Sequence, residues 1–369
     1  MTSSAIDTPL TPQRKFPTPT PRAYRMPAEW EPHWATWLVW PHNRSDWNGK
    51  MAAIDWSFAE IVRYLAADER VAILFRNSGD QRRAERVLAR VGVDARSIQT
   101  HLARTNRSWI RDAGPIFVVR RDLDRPETAV TDWRFNGWAR YRTWQDDDAL
   151  PARIAEYRGL RRFVVRHGRE KRRVVLEGGS IDVDGQGLLL ATESCLLSSV
   201  QARNPGLTKA DYEAVFAEYL GVRRVLWLGE GIVGDDTHGH VDTVARFVAP
   251  ATVVVATEAD RHDANYAALR DNLARLRAMR DLAGRPLTLL QLPMPRGLYF
   301  DGRRLPASYL NFYIGNRYVL VPSFNDPNDR RALERLSRVF AGRTVVGIHA
   351  VDLVLGLGTV HCLTQQEPC

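Results

Sequence analysis

Cysteine is scarce in this chain: Cys195, Cys362 and Cys369 are the only three among 369 residues. An odd and sparse set is no disulfide framework, and it suits a reducing compartment, so a cytoplasmic location is expected. No run of about 18 uninterrupted apolar residues occurs, so no membrane-spanning helix is expected. The first twenty residues, MTSSAIDTPLTPQRKFPTPT, lack the apolar core of a secretory signal, and residues 1–25 read as a flexible tail before a single domain over 26–369. Paired CxxC and helical HExxH are missing too, and with them the usual metal signatures, so no metal and no organic cofactor is expected.

What is present is enough to build a large core, since hydrophobic residues make up 44% of the chain and charged ones 26%. The formal net charge of +9 raises the question of nucleic acid. Arginines cluster at Arg82, Arg83, Arg86 and Arg90 and at Arg169, Lys171, Arg172 and Arg173, yet no zinc-finger, RNA-binding or basic-zipper pattern accompanies them. A solvated arginine-rich face accounts for them, and nucleic-acid binding is kept only as the alternative of a different class.

Hydrophobic periodicity gives alternating strands and helices. Strands are expected at 35–41, 70–76, 223–229, 287–293 and 343–348, and helices at 51–67, 80–90, 209–220, 262–280 and 329–339. Two short strands around Pro250 and two joined through Gly315 and Asn316 complete the pattern. Repeated strand-helix units without an identical repeat or linker point to one α/β domain, with 121–150 and 294–310 as insertions.

Four polar constellations stand out against this background. Arg111 and Asp112 precede Gly114 and Pro115; alone they describe a surface turn in which the two side chains pair. Glu177 ends an apolar run and is followed by two glycines, ahead of Asp182 and Asp184 at a hairpin. In GIVGDDTHGHVDTVARFV, residues His238, His240 and Asp242 have period two, which in an extended chain aims all three to one side. Finally, GLGTVHCLTQQEPC reads as a tight turn entering an extended segment, with His361 and Cys362 on opposite faces. Cys195 reads as an inert core thiol and Cys369 as incidental.

Two chemistries compete for these residues. A metal hydrolase would use His238, His240, Asp242 and Cys362, but lacks a complete ligand motif. A covalent route uses more of the residues: Cys362 as nucleophile, His240 as acid and base, and Asp112, Glu177 and Asp242 as carboxylates. Three carboxylates in one pocket repel unless the ligand is cationic and rich in donors, as a guanidinium is.

The motifs MPAEWEPHWATWLVWPHNRSDW, WIRDAGPIFVV, DWRFNGWARY, LEGGSIDVDGQG, DDTHGHVDTVARF, YIGNRYVLVPSFNDPND and VHCLTQQ occur in that order. Together they resemble the agmatine deiminase and bacterial peptidyl-arginine deiminase family of the guanidine-modifying superfamily. The resemblance implies a five-unit pseudo-symmetric α/β propeller and a cysteine-dependent hydrolysis of a small guanidine substrate. It carries the nucleophile to Cys362, proton transfer to His240, and substrate clamping to Asp112, Glu177 and Asp242, with Trp109, Trp138 and Arg140 as candidate contacts to the substrate. His361 belongs to the motif without an implied chemical role. Agmatine ranks first as substrate, arginine or peptidyl-arginine second, and a homo-oligomer is open.

Overall fold

The computed structural model describes residues 21–120, 122 and 126–369, and the fold is mixed α/β. Residues 1–20 of the expected tail lie outside the described residues. The end of that segment is held against the fold: Tyr24 is buried, and the Arg25 backbone bonds both ways with Val119. Tyr24 also packs edge-on against Phe163, which gives this segment a reason to stay in place.

Five sheets among the described residues share one plan. In each, a central strand pairs antiparallel with one neighbour and parallel with the next. The antiparallel and central strands are Ile116–Arg120 with Glu127–Asp132, Ile181–Val183 with Leu188–Thr192, Ala245–Ala249 with Thr252–Thr257, and Tyr313–Ile314 with Tyr318–Ser323. The fifth pair joins distant parts of the chain: Gln365–Pro368 lies antiparallel to His33–Val39. Parallel partners follow at Arg161–Val164, Arg224–Leu228, Thr288–Pro293, Thr344–His349 and Arg70–Phe75.

A parallel neighbour requires a crossover, and each crossover here contains a helix. These are Leu150–Arg158, Lys209–Leu220, Tyr266–Ala278, Pro327–Val339 and Met51–Leu65. Their ends follow from local chemistry. Thr208 and Asp211 form a capping box, as do Asp326 and Asp329, and Gly159 and Gly221 end their helices in the left-handed conformation. Met51–Leu65 buries Ile54, Phe58, Ile61, Val62 and Leu65, the stripe that its spacing predicts.

Two expectations fail. Segment 121–150 is no insertion, because Glu127–Asp132 is the central strand of a sheet; its mixed sequence, ETAVTD, hid it. The segment 231–244 is not extended. Asp235 accepts hydrogen bonds from the backbone N–H groups of Thr237, Gly239 and His240, and Gly234, His238 and Gly239 have φ of 92°, 66° and 105°. A chain held in that way coils, and the strand begins only at Ala245.

Candidate active site

The turns that enter the five antiparallel strands carry the chemistry. Asp112 lies on the short helix Ile110–Ala113, Glu177 caps the turn Gly178–Ser180, and His240 caps the turn Val241–Thr243 that contains Asp242. Asn311 precedes Tyr313–Ile314, and Cys362 precedes Gln365–Pro368. Each side chain therefore stands at the same place in its unit.

Glycine explains how these turns come so close. A Cβ on Gly179 would lie 2.6 Å from His240 Nδ1 and 2.7 Å from Asp112 Oδ1, so the second glycine of LEGG is the space between three site residues. A Cβ on Gly358 would lie 2.8 Å from the Trp109 ring and 3.1 Å from Cys362 Sγ. The approach to the cysteine is thus threaded along an aromatic face. Residues 359–363 form turns rather than the expected extended segment, because Asn311 Oδ1 accepts from the Thr359 hydroxyl at 2.7 Å and the Asn311 carbonyl from His361 N at 3.0 Å.

All five expected catalytic side chains are buried and meet here. Cys362 Sγ lies 3.7 Å from Asp242 Oδ2 and receives a hydrogen bond from Asn311 Nδ2 at 3.2 Å. His240 Nδ1 is 3.7 Å from Asp112 Oδ1 and its Nε2 is 3.6 Å from Glu177 Oε2. Asp112 does not pair with Arg111, as a surface turn would have it. Asp112 accepts from Gly179 N at 3.1 Å and Trp138 Nε1 at 2.9 Å, while Arg111 turns to Gln366 and Glu29.

A second layer holds these groups in place, and most of it gave no sequence signal. His361 spans from Asp242 Oδ2 at 2.7 Å to Glu29 Oε2 at 2.9 Å, and Glu29 is held in turn by Arg246 and Arg111. Glu29 sits inside the quoted MPAEW motif, where its type and position were visible but not its partners. Arg203 donates to Glu177 Oε1 at 3.0 Å, both side chains being wholly buried. Arg203 and Asn311 lie in unremarkable segments, and only the fold brings them in.

Burial and the neighbouring charges set the protonation states. Burial raises the carboxyl of Asp112 to about 6; His240 opposes this, while Asp242 and Glu177 add to it. For Glu177 burial acts upward as well, but Arg203 and His240 outweigh it and bring the carboxyl down to about 2. Asp242 is likewise lowered against the effect of burial, chiefly by His361. Burial disfavours an imidazolium at His240, yet Asp112, Cys195 and Glu177 hold its proton on well above the ordinary range. Burial and then Asp242 and Asp112 push the Cys362 thiol well up, so in the free protein this group is a thiol.

Four buried polar atoms at this point make no hydrogen bond: Glu177 Oε2, Asp242 Oδ1 and both ring nitrogens of His240. Buried polar atoms ordinarily find partners, so the arrangement has room for a ligand that supplies several donors. A planar cation with several N–H groups matches two carboxylate oxygens better than a neutral ligand does.

The cleft above Cys362 is lined by Trp109, Asp112, Trp138, Tyr141, Asp236 and Leu357, among others. Trp109 and Trp138, candidate contacts to the substrate, both belong to that lining, which is the place a contact residue would need. Arg140 does not: it is exposed and sits 5.9 Å from the centre of the Tyr141 ring, outside the lining. Two charged groups in the lining were given no role by sequence reading: Asp236, which accepts a hydrogen bond from Tyr141 Oη at 2.5 Å, and Arg107, which pairs with Asp46 and lies 4.3 Å from the centre of the Tyr141 ring. His238 is also apart from the site; its Nε2 meets Ser198 Oγ at 3.2 Å and it lines a separate, wider cleft. The set of His238, His240, Asp242 and Cys362 that a metal hydrolase would need is therefore not assembled.

Comparison with known proteins agrees with this geometry. The sequence profile of the Porphyromonas-type peptidyl-arginine deiminases matches residues 25–368. The agmatine deiminase of Pseudomonas aeruginosa strain LESB58 is 37% identical over 377 residues, covering 95% of this chain and 98% of its own. Among solved structures, the agmatine deiminase of Enterococcus faecalis superposes with a TM-score of 0.84 at 34% identity, over 95% of this chain and 97% of that one. A cysteine-to-serine variant of the C. jejuni agmatine deiminase with substrate bound gives 0.81 at 28%, over 93% and 96%. On the strength of a match along nearly its whole described length, this chain belongs to the Porphyromonas-type peptidyl-arginine deiminase family.

Proposed function

We propose that this chain is an agmatine deiminase, with residues 26–369 acting as one catalytic unit that hydrolyses agmatine to N-carbamoylputrescine and ammonia. The observation that carries this reading is the group of unpartnered carboxylate and imidazole atoms around Cys362, in a site whose cleft has the carboxylate of Asp236 on its wall. Three free thiols suit a cytoplasmic enzyme. Among the described residues no helix is long and apolar enough to cross a membrane.

Chemistry follows from the charges. A guanidinium entering between Asp112, Glu177 and Asp242 brings positive charge beside Sγ, which favours release of the Cys362 proton to solvent. The thiolate attacks the guanidinium carbon, forming a tetrahedral adduct held by the carboxylates. His240, protonated in the free enzyme, gives its proton to the departing nitrogen; ammonia leaves and a covalent thiouronium remains. Neutral His240 then takes a proton from water, hydroxide adds to the same carbon, and the C–S bond breaks as the added hydroxyl gives its proton to the departing sulfur, which releases the ureido product and restores the Cys362 thiol. His361 and Asn311 position Asp242, and Arg203 positions Glu177.

The far end of the substrate reads the cleft wall. Agmatine ends in an ammonium that Asp236 can receive, whereas the α-carboxylate of arginine would meet a like charge there. Exposed Arg140 is not placed to reverse that preference, and Arg107, the cation in the same lining, is already committed to Asp46 and the Tyr141 ring. Activity assays that measure ammonia and ureido product together should therefore rank agmatine above free arginine, peptides with internal or C-terminal arginine, and small alkylguanidines. Efficient arginine turnover with negligible agmatine turnover would overturn the substrate assignment. Asp236→Asn should raise KM for agmatine by about tenfold with a smaller effect on kcat, because it removes attraction at a distance from the reacting carbon.

The pH profile carries a further expectation. Asp112 must be ionised to hold a cation, and its carboxyl titrates at about 6 in the free enzyme. As pH falls through that value the group becomes neutral, so kcat/KM should decline below pH of about 6, with kcat less affected once substrate is bound. In Asp112→Asn the acid limb should disappear with most of the activity; an unaltered limb in the residual activity would assign it to another group.

A further inference from the structure

Cys195 is the buried nucleophilic group that the reaction does not use. It sits on the short helix Glu193–Leu196, where the Thr192 hydroxyl accepts from its backbone N–H, and its thiol has a long contact of 4.0 Å to the Thr237 carbonyl and interacts with the His240 side chain. Core packing alone explains a buried thiol. It does not explain the neighbours: a ligand atom of Cys195, one of His240 and one of Glu177 all lie within 4.8 Å of one another, and all three residues are buried.

These donors are chemically matched to one class of ion. A thiolate sulfur, an imidazole nitrogen and a carboxylate oxygen suit a borderline-soft divalent cation and are a poor set for calcium or magnesium. Glu177 keeps Oε1 on Arg203, which leaves Oε2 free, and neither nitrogen of His240 is engaged in a hydrogen bond. From these observations we propose that Glu177, Cys195 and His240 form an inhibitory site for Zn²⁺ or a cation of similar softness.

Binding involves no change of oxidation state. The Cys195 thiol and the His240 imidazolium each release a proton to solvent; sulfur and nitrogen then donate their pairs to the ion, and a water molecule completes the coordination. The thiolate and the Glu177 carboxylate balance the two positive charges. The ion would occupy the imidazole and the carboxylate oxygen that the proposed reaction needs, so it competes with a guanidinium substrate. This extends the reading of the site as a deiminase centre, and it rests on that reading only for its activity measurement.

The test uses the whole chain. With buffered free Zn²⁺, wild-type protein should show competitive inhibition that a chelator reverses. In Cys195→Ser, with the uninhibited rate of the variant itself as reference, the inhibition constant should rise about 10- to 100-fold; Cys195→Ala, checked by thermal unfolding, covers the case in which serine disturbs packing. Independently of any substrate, the Cys362→Ala/Cys369→Ser double variant leaves Cys195 as its one thiol. That protein should bind one Zn²⁺, and with Co²⁺ should give the near-ultraviolet sulfur-to-metal band of thiolate ligation. No stoichiometric ion in the double variant, or equal zinc sensitivity with and without Cys195, would overturn the proposal. Stoichiometric binding without any guanidine turnover would leave the metal site standing and sink the deiminase reading instead.

Discussion

Ammonia release from agmatine is expected to fall by roughly four orders of magnitude or more in Cys362→Ala, since no other group can take the covalent role. Cys195 is buried on its own helix and Cys369 is exposed, so neither can stand in for the lost thiol. Binding should survive better than turnover, because Asp112, Glu177 and Asp242 remain to hold the cation. Agmatine should still raise the melting temperature of the variant. With the intact thiol, a cationic amidine electrophile should alkylate Cys362 faster than its neutral amide counterpart, because the positive charge lowers the cost of forming the thiolate among carboxylates. Mass analysis of the stalled or alkylated protein should place the adduct on Cys362. Near-normal turnover in the alanine variant would remove the covalent mechanism altogether.

The second large effect is expected from Arg203→Met. In the native protein the guanidinium donates to Glu177, to the Gln201 carbonyl at 3.0 Å and to the Thr237 carbonyl at 2.6 Å, so one side chain ties three segments together. Methionine fills similar space but leaves a wholly buried carboxylate with only His240 beside it. Removing one partner of a buried ion pair costs about 3–5 kcal/mol, which urea denaturation at neutral pH should detect. The sign of the pH dependence is defined. Glu177 is lowered from an ordinary value of 4.5 to about 2, so its stabilising contribution is present above the higher value and is lost as pH falls toward the lower one. In the variant that contribution should vanish, and the stability difference from wild type should shrink as pH drops from about 5 to about 2. A constant difference across that range would mean that Arg203 acts through its carbonyl contacts alone.

Periodic apolar segments made the fold legible. The stripe of Met51–Leu65 buries one helix face and Arg70–Phe75 is buried on both sides, while Thr288–Pro293 and Thr344–His349 are largely half-buried strands whose apolar side chains still mark them. Site residues were legible for another reason: carboxylates, histidine and cysteine beside glycine are rare combinations. Their conformation was not. His238, His240 and Asp242 have the spacing of a strand face, but the hydrogen bonds of Asp235 and three left-handed residues decide the local path, and a spacing rule does not see them. Arg203 and Asn311 were invisible because their importance comes wholly from partners far along the chain.

One pairing described above bears on how the protein comes into being. His33–Val39 forms its antiparallel edge with Gln365–Pro368, and Cys362 stands on the turn just before that strand. While the ribosome is still adding residues, the first sheet waits with one side open, since its partner is more than three hundred residues away in the chain. Such a distant contact is costly in loop entropy and forms late. Hydrolytic capability therefore requires that the segment carrying Cys362 dock on this first sheet. A nascent or prematurely terminated chain can carry every carboxylate of the site and remain chemically silent.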